Sequence, residues 1–200
     1  FEQIQEDGLL DLMTPGGLLG KITSQSSFLG SLPRLRYQGH VEIQGSRLRL
    51  SDFVNQVALH PLRLPVVLVI GTSMSAGKTA SARVVVRLLR QMGHRVGALK
   101  LTGAARYRDI LSLQDAGAQS IADFVEAGLP SSCCPGEVYR RSIQPLLSRF
   151  ATQNLDSLVV EAGASPLEPY NGDTAIELLQ DQIRCTILAA SDPYAVLGVM

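Results

Sequence analysis

Cysteine is scarce in this chain: three residues, Cys133, Cys134 and Cys185, in 200. The adjacent pair lacks the CxxC spacing of metal or redox sites. All three read as reduced, partly buried thiols of a cytosolic protein, without a disulfide framework. The histidines His40, His60 and His94 are scattered, and none forms a ligand pair at helical spacing, which excludes a zinc site built on them. Net charge is absent, with 18 Lys plus Arg against 18 Asp plus Glu. No overall field therefore directs the chain to nucleic acid or to an anionic membrane. No apolar run approaches the length of a bilayer span. Residues 1–7 lack the basic-then-apolar pattern of a signal peptide, and a start at Phe1 reads as a fragment boundary. Internal repeats and low-complexity segments are absent too.

What the chain does have is apolar substance. At 46% hydrophobic and 18% charged residues, it can bury a sizeable core in one domain, or in one domain with a small appendage. Its most informative stretch is Val66-Val-Leu-Val-Ile-Gly-Thr-Ser-Met-Ser-Ala-Gly-Lys-Thr79. A β-branched strand ends in glycine, a small-residue loop follows, and Gly77-Lys78-Thr79 opens a helix. This is the layout of a phosphate-binding loop. Backbone amides from Gly71, Thr72, Ser73, Ser75, Ala76, Gly77 and on to Ala80 would surround an anion at a helix N-terminus. Lys78 would reach the outer phosphates and Thr79 would ligate a bridging Mg²⁺. Five residues separate Gly71 from Gly77 where the usual spacing has four.

Residues 1–64 have a different texture. Thr14-Pro-Gly-Gly17 is a turn cluster, and Val41–Leu50 alternates about Gly45-Ser46 as a hairpin. Leu35 and Tyr37 suggest another strand. We therefore expect a small β-rich unit over 1–64, linked through Pro61 and Pro65 to a nucleotide-binding domain over 65–200. In that domain a helix follows the loop, with Ala82, Val85, Val86, Leu89 and Met92 as its core stripe. Arg83, Arg87 and Arg90 occupy the opposite, solvated face, and Gly93 stops the helix. Strands follow over 95–101, 158–161 and 185–190. Helices follow over 136–150 and 174–182, with Pro145 arguing for a break in the first. Repeated β-α-β units predict an α/β fold, a mostly parallel sheet with helices on both faces.

Ligands of such sheets lie beyond the carboxyl ends of the strands. The second strand ends in Lys100-Leu-Thr-Gly103, the third in Val160-Glu-Ala-Gly163 and the fourth in Ser191-Asp-Pro193. Lys100 reads either as a surface lysine or as a second ammonium that stabilises charge on a transferred phosphate or a substrate carboxylate. Glu161, an acid ending an apolar strand, fits Mg²⁺ coordination. Asp109 and Asp115 are alternatives for a further metal or substrate contact. Tyr170 and Asn171 read equally as pocket-lining residues and as ordinary turn residues.

These motifs carry a resemblance. Gly71–Thr79, with its five-residue gap, resembles the Gly-Thr-Asp-Thr-Gly-Val-Gly-Lys-Thr loop of dethiobiotin synthetase. Lys100 is similar to that family's Lys-Pro motif, with Leu101 in place of the proline. Glu161-Ala-Gly163 is similar to its Glu-Gly-Ala-Gly segment, whose Glu binds Mg²⁺. Ser73 replaces the family's loop aspartate, and the family's base-binding region would fall beyond Met200. A second resemblance is to a P-loop family that includes D-glutamate N-acetyltransferase-type proteins. It rests on the loop, on Asp123-Phe-Val125, and on Glu161-Ala-Gly-Ala followed by Pro169-Tyr170.

The resemblances imply a nucleotide fold, with ATP or another NTP and Mg²⁺ as cofactors. The activity implied first is ATP-dependent phosphoryl transfer to a small carboxylate or amine metabolite, with Lys78 and Lys100 as catalytic residues. Thr79, Glu161 and Asp109 would then be the metal set. The alternatives are a slow NTPase acting as a switch or assembly factor, and amino-acid N-acyl transfer. ATP is preferred to GTP because no Asn-Lys-x-Asp guanine motif occurs in the 200 residues. Expected partners are a small-molecule substrate and, in a homo-oligomer, a second copy; nucleic acid and membrane are not expected.

Overall fold

The computed structural model describes residues 8–13, 19–163, 165 and 167–198. The Thr14–Gly17 turn lies outside the described residues. Three small antiparallel strands, β1 (Leu9–Leu12), β2 (Leu19–Gly20) and β3 (Arg34–Arg36), form a sheet in the order β2-β1-β3. A hairpin follows, β4 (Glu42–Ile43) and β5 (Ser46–Arg47). Its turn is Gln44-Gly45, at φ of 51° and 77°, one residue earlier than the expected Gly45-Ser46. A two-residue type I′ turn, whose twist matches that of the strands, has positive φ at both central residues, and Ser46 is already paired with Ile43.

The α/β unit comprises β6 (Val66–Gly71), α1 (Lys78–Gln91), β7 (Val96–Thr102), α2 (Tyr107–Asp115) and β8 (Ser120–Asp123). It continues with α3 (Gly136–Ala151), β9 (Ser157–Ala162), α4 (Gly172–Leu179), β10 (Ile183–Ala189) and α5 (Pro193–Leu197). All five strands run parallel, in the order β10-β6-β9-β7-β8. The α/β class expected from the strand–helix alternation is therefore the class observed. Helix α2 and strand β8 were not anticipated.

Alternation along the strands divides the apolar residues between two cores. Leu99, Leu101, Leu158 and Val160 face Tyr139, Ile143, Phe150, Ala175 and Leu179 of α3 and α4. Val69, Ala98 and Val159 face Ala82 and Val86 of α1 with Ile110 and Leu113 of α2. Val85 and Leu89 border this second core, whereas Met92, at the C-cap, is 72% exposed and outside the stripe expected of it. Leu62, ahead of β6, already belongs to the first core. The His60 amide donates to Ser148 Oγ at 3.0 Å, fixing this link on α3.

Helix α3 runs through Pro145 without the break expected there. Proline removes one intrahelical donor, but Tyr139, Ile143, Leu146, Leu147 and Phe150 on both sides of it are buried. Burying such side chains contributes about 1.5–3 kcal/mol each, which outweighs one lost backbone bond. Cys133 and Cys185 are exposed and Cys134 is half-buried, so the thiols are free as expected but less buried.

Candidate functional site

The connection β6-α1-β7 crosses over β9, while β9-α4-β10 returns to the other side of β6. The order therefore reverses at the carboxyl ends of β6 and β9, where a crevice opens in such sheets. Gly71 ends β6 there and Glu161 lies near the end of β9.

The loop turns back on itself between them. Ala76 N–H donates to Ser73 O at 3.3 Å, and Gly77 caps α1 in the left-handed region at φ 97°. Ser81 N–H donates to Gly77 O, so the amides of Lys78, Thr79 and Ala80 precede the first intrahelical bond. Thr72 holds the base of the loop to β10: its amide donates to Ala189 O at 3.0 Å, and its hydroxyl accepts from Ser191 N–H at 3.3 Å. Met74, Ser75 and Ala80 are exposed on the outer side.

Lys78 is 2% exposed, so it is not a solvated surface lysine. Its stem lies across Gly71, where an added Cβ would be 2.7 Å from Cγ and 2.9 Å from Cδ. Only glycine lets the stem pass that close. Its ammonium donates to Ser73 O at 2.6 Å, inside the curl of the loop. Burial holds its pKa below the usual lysine range, opposed by the charges of Glu161 and Glu168.

Glu161 is paired in register with Val69 of β6 on one side and Lys100 of β7 on the other. Two residues beyond Val159 and Ala98, Glu161 and Lys100 lie on the α1/α2 face of the sheet. Glu161 is 3% exposed. Oε1 accepts from the Thr79 hydroxyl at 3.0 Å, and Oε2 is buried with no hydrogen-bond partner. Burial raises the carboxyl above its ordinary pKa, against Lys100 and the Thr79 hydrogen bond, which favour the charged form.

Lys100, 5% exposed, donates to Asp109 Oδ2 at 2.6 Å and to Ala104 O at 3.3 Å. It is a buried, paired ammonium at the site. Asp109, in the first turn of α2, is the counter-ion of Lys100. Asp115 is exposed at the other end of α2 and is not brought to the site. Tyr170 and Asn171 make turn contacts: Tyr170 O accepts from Ser132 Oγ, and Asn171 Nδ2 donates to Ser132 O and Cys134 O. Asp192, at the end of β10, caps α5 by accepting from Ala195 N–H.

Three residues beside the cluster occur in the quoted motifs, but sequence reasoning gave them no role at the site. Asp123 of β8, 5% exposed, is in register with Lys100 and accepts from Val125 N–H. Burial pushes its carboxyl pKa up. Thr102 is 1% exposed, and its hydroxyl has no partner. Gly163 packs against Thr102 O, which an added Cβ would approach to 2.1 Å. Asp123 entered only through the Asp123-Phe-Val125 resemblance, because Ser120-Ile-Ala-Asp123 is too short and too little apolar to read as a strand. Gly163 was quoted with Glu161 in the Glu161-Ala-Gly163 motif, but its close approach to Thr102 was not foreseen.

The residues fit a divalent cation held jointly with phosphates. A hydroxyl and a carboxylate with one unsatisfied oxygen supply hard oxygen ligands, and Mg²⁺ takes its remaining ligands from phosphate and water. Among the described residues, no group of three or more His, Cys, Asp or Glu forms a metal cage on its own. Cavities of about 350 and 520 Å³, bordered by His60 with Gln144 and by Asp11 with Arg34 respectively, lie away from the loop.

No family model and no curated protein matches the chain. Among solved structures, it is similar to the signal recognition particle 54 kDa protein of Aeropyrum pernix K1, determined in complex with GDP. The TM-score is 0.40 at 21% identity, covering 62% of this chain and 29% of that chain. The chain thus matches less than a third of that protein's length. No helix among the described residues is long and apolar enough to cross a membrane.

Proposed function

We propose that the chain binds a Mg²⁺–nucleotide, ATP by preference, and transfers a phosphoryl group to a small carboxylate- or amine-bearing metabolite. The observation that carries this reading is the Thr79–Glu161 pair. A loop hydroxyl hydrogen-bonds a buried carboxylate whose second oxygen is unsatisfied. Burying a carboxylate so incompletely paired costs free energy, which a cation at the same place would recover.

In this reading the loop amides from Gly71 to Ala80 and the Lys78 ammonium hold the phosphates. To do so, Lys78 exchanges its bond to Ser73 O for one to phosphate. Thr79 and Glu161 hold the metal, which supplies charge neutralisation between phosphates. Lys100 steadies negative charge on the acceptor side, oriented by Asp109. Catalysis is then positioning and electrostatics, with the nucleophile supplied by the substrate. The dethiobiotin synthetase resemblance at all three motifs agrees with this division of roles.

Calorimetric titration of ADP, ATP and GTP with Mg²⁺ tests it. Wild type is expected to bind at least one of them. Lys78→Ala is expected to weaken ATP about ten- to hundred-fold, through loss of charge-assisted bonds to phosphate. Absence of binding to the wild type, or equal binding by the variant, would overturn the proposal.

A further inference from the structure

Ser132 is fully buried in the β8–α3 connection. Its Oγ accepts from Gly103 N–H at 2.8 Å and donates to Tyr170 O at 2.8 Å. Its amide donates to Gly103 O at 3.2 Å, and its carbonyl accepts from Asn171 Nδ2 at 2.7 Å. The same Asn171 amide reaches Cys134 O at 2.8 Å. A bridge between Ala104 and Ser131 adds to the joint. One small side chain therefore ties together three connections on the carboxyl rim: β7–α2, β8–α3 and β9–α4. The first of these carries Ala104, whose carbonyl holds the Lys100 ammonium at 3.3 Å.

We infer that Ser132, with Asn171, is a positioning residue that sets where the Lys100 ammonium points. The role given to that ammonium rests on the proposed function, but the positioning itself does not. Without the Ser132 hydroxyl, Gly103 N–H and Tyr170 O both lose their partner, and a buried backbone group left unpaired draws its segment toward water. The 103–104 segment then shifts, and Ala104 O leaves Lys100. Ser132→Ala removes one oxygen and little volume. Asn171→Asp keeps the side-chain shape at a left-handed residue, φ 58°, but cannot donate to either carbonyl.

The chain has three lysines, Lys21, Lys78 and Lys100. Amine acylation of the ligand-free protein, read at each lysine by mass spectrometry, reports the joint without nucleotide. In Ser132→Ala the Lys100 rate is expected to rise about fivefold while Lys78, equally buried in the neighbouring loop, stays within about twofold of wild type. Loosening of the whole fold would raise both. Unchanged Lys100 labelling, or parallel rises at Lys78 and Lys100, would overturn the inference. If Ser132→Ala does not fold, Asn171→Asp is expected to give the same selective rise, and failure to do so overturns it equally. Where turnover is measurable, kcat is expected to fall with the KM for ATP unchanged. Failure of the nucleotide reading would appear separately, as absence of ATP binding to the wild type.

Discussion

At the scale of single residues, the site consists of charges held out of water by specific neighbours. Glu161 is the most deeply buried of its carboxylates that lack a full set of partners. Its pKa lies above the ordinary carboxylate range because it is buried, and a metal ligand must be deprotonated. On the proposed reading, protons are therefore expected to compete with Mg²⁺ at a higher pH than at an exposed glutamate. The Mg²⁺-dependent part of nucleotide affinity is expected to fade on acidification while still above the ordinary glutamate value of about 4.3. Glu161→Gln is expected to remove that part, about tenfold or more, together with its pH dependence, leaving metal-free affinity nearly intact. Titrations with and without Mg²⁺ across pH check both. Gly163 is a steric counterpart, since a Cβ there would meet Thr102 O at 2.1 Å and Lys100 Cε at 2.9 Å. The first contact is backbone and cannot swing aside. Gly163→Ala is expected to cost about 1–3 kcal/mol in chemical denaturation.

Among elements, α3 is where pattern and local rule conflict. Its apolar spacing demanded a helix and Pro145 argued against one; burial on both sides of the proline decided the outcome. Pro145→Ala restores a backbone donor, and Pro145 is only half-buried. The gain is expected to be about 1 kcal/mol, below the full propensity difference because the proline also restrains the unfolded chain. A rise in melting temperature would confirm it. Strands β6, β7, β9 and β10 were legible because each is an apolar run closed by glycine or a polar residue. Strand β8 has four residues, and α2 presents two fully buried ones, Ile110 and Leu113, so neither produced a periodic signal long enough to read. The loop residues and Glu161 were legible from type and position alone. Asp109 on Lys100 was not, since that pair depends on where α2 starts, nor was the Ser132 joint, which has no motif.

For the whole molecule, strand order was the missing quantity. The sequence put polar groups at four strand ends, but only the order β10-β6-β9-β7-β8 sets Glu161 between Val69 and Lys100. At the opposite end of the sheet, Asp156 clamps β7 to the start of β9. It accepts from the Arg95 backbone amide at 2.8 Å and from Nε at 2.9 Å, and also from the guanidinium terminus. Hydrogen bonding from the Arg95 side chain, then from its backbone, holds the Asp156 carboxyl well below its usual range. A depressed acid stabilises the fold above its unfolded pKa, and that contribution disappears as pH falls through the folded value. The stability difference between wild type and Asp156→Asn is therefore expected to be full at neutral pH and to shrink below about pH 4, the unfolded aspartate value. Urea denaturation at several pH values measures it.

The Thr79–Glu161 hydrogen bond spans 82 positions along the chain. Neither half of the polypeptide, made alone, contains both groups, since β6 and β9 are neighbours in the sheet but far apart in sequence. Long-range parallel pairing of this kind is slow to form. On the proposed reading the cation–phosphate site is complete only once that pairing has formed, so a nucleotide added during refolding is expected to report completion rather than onset.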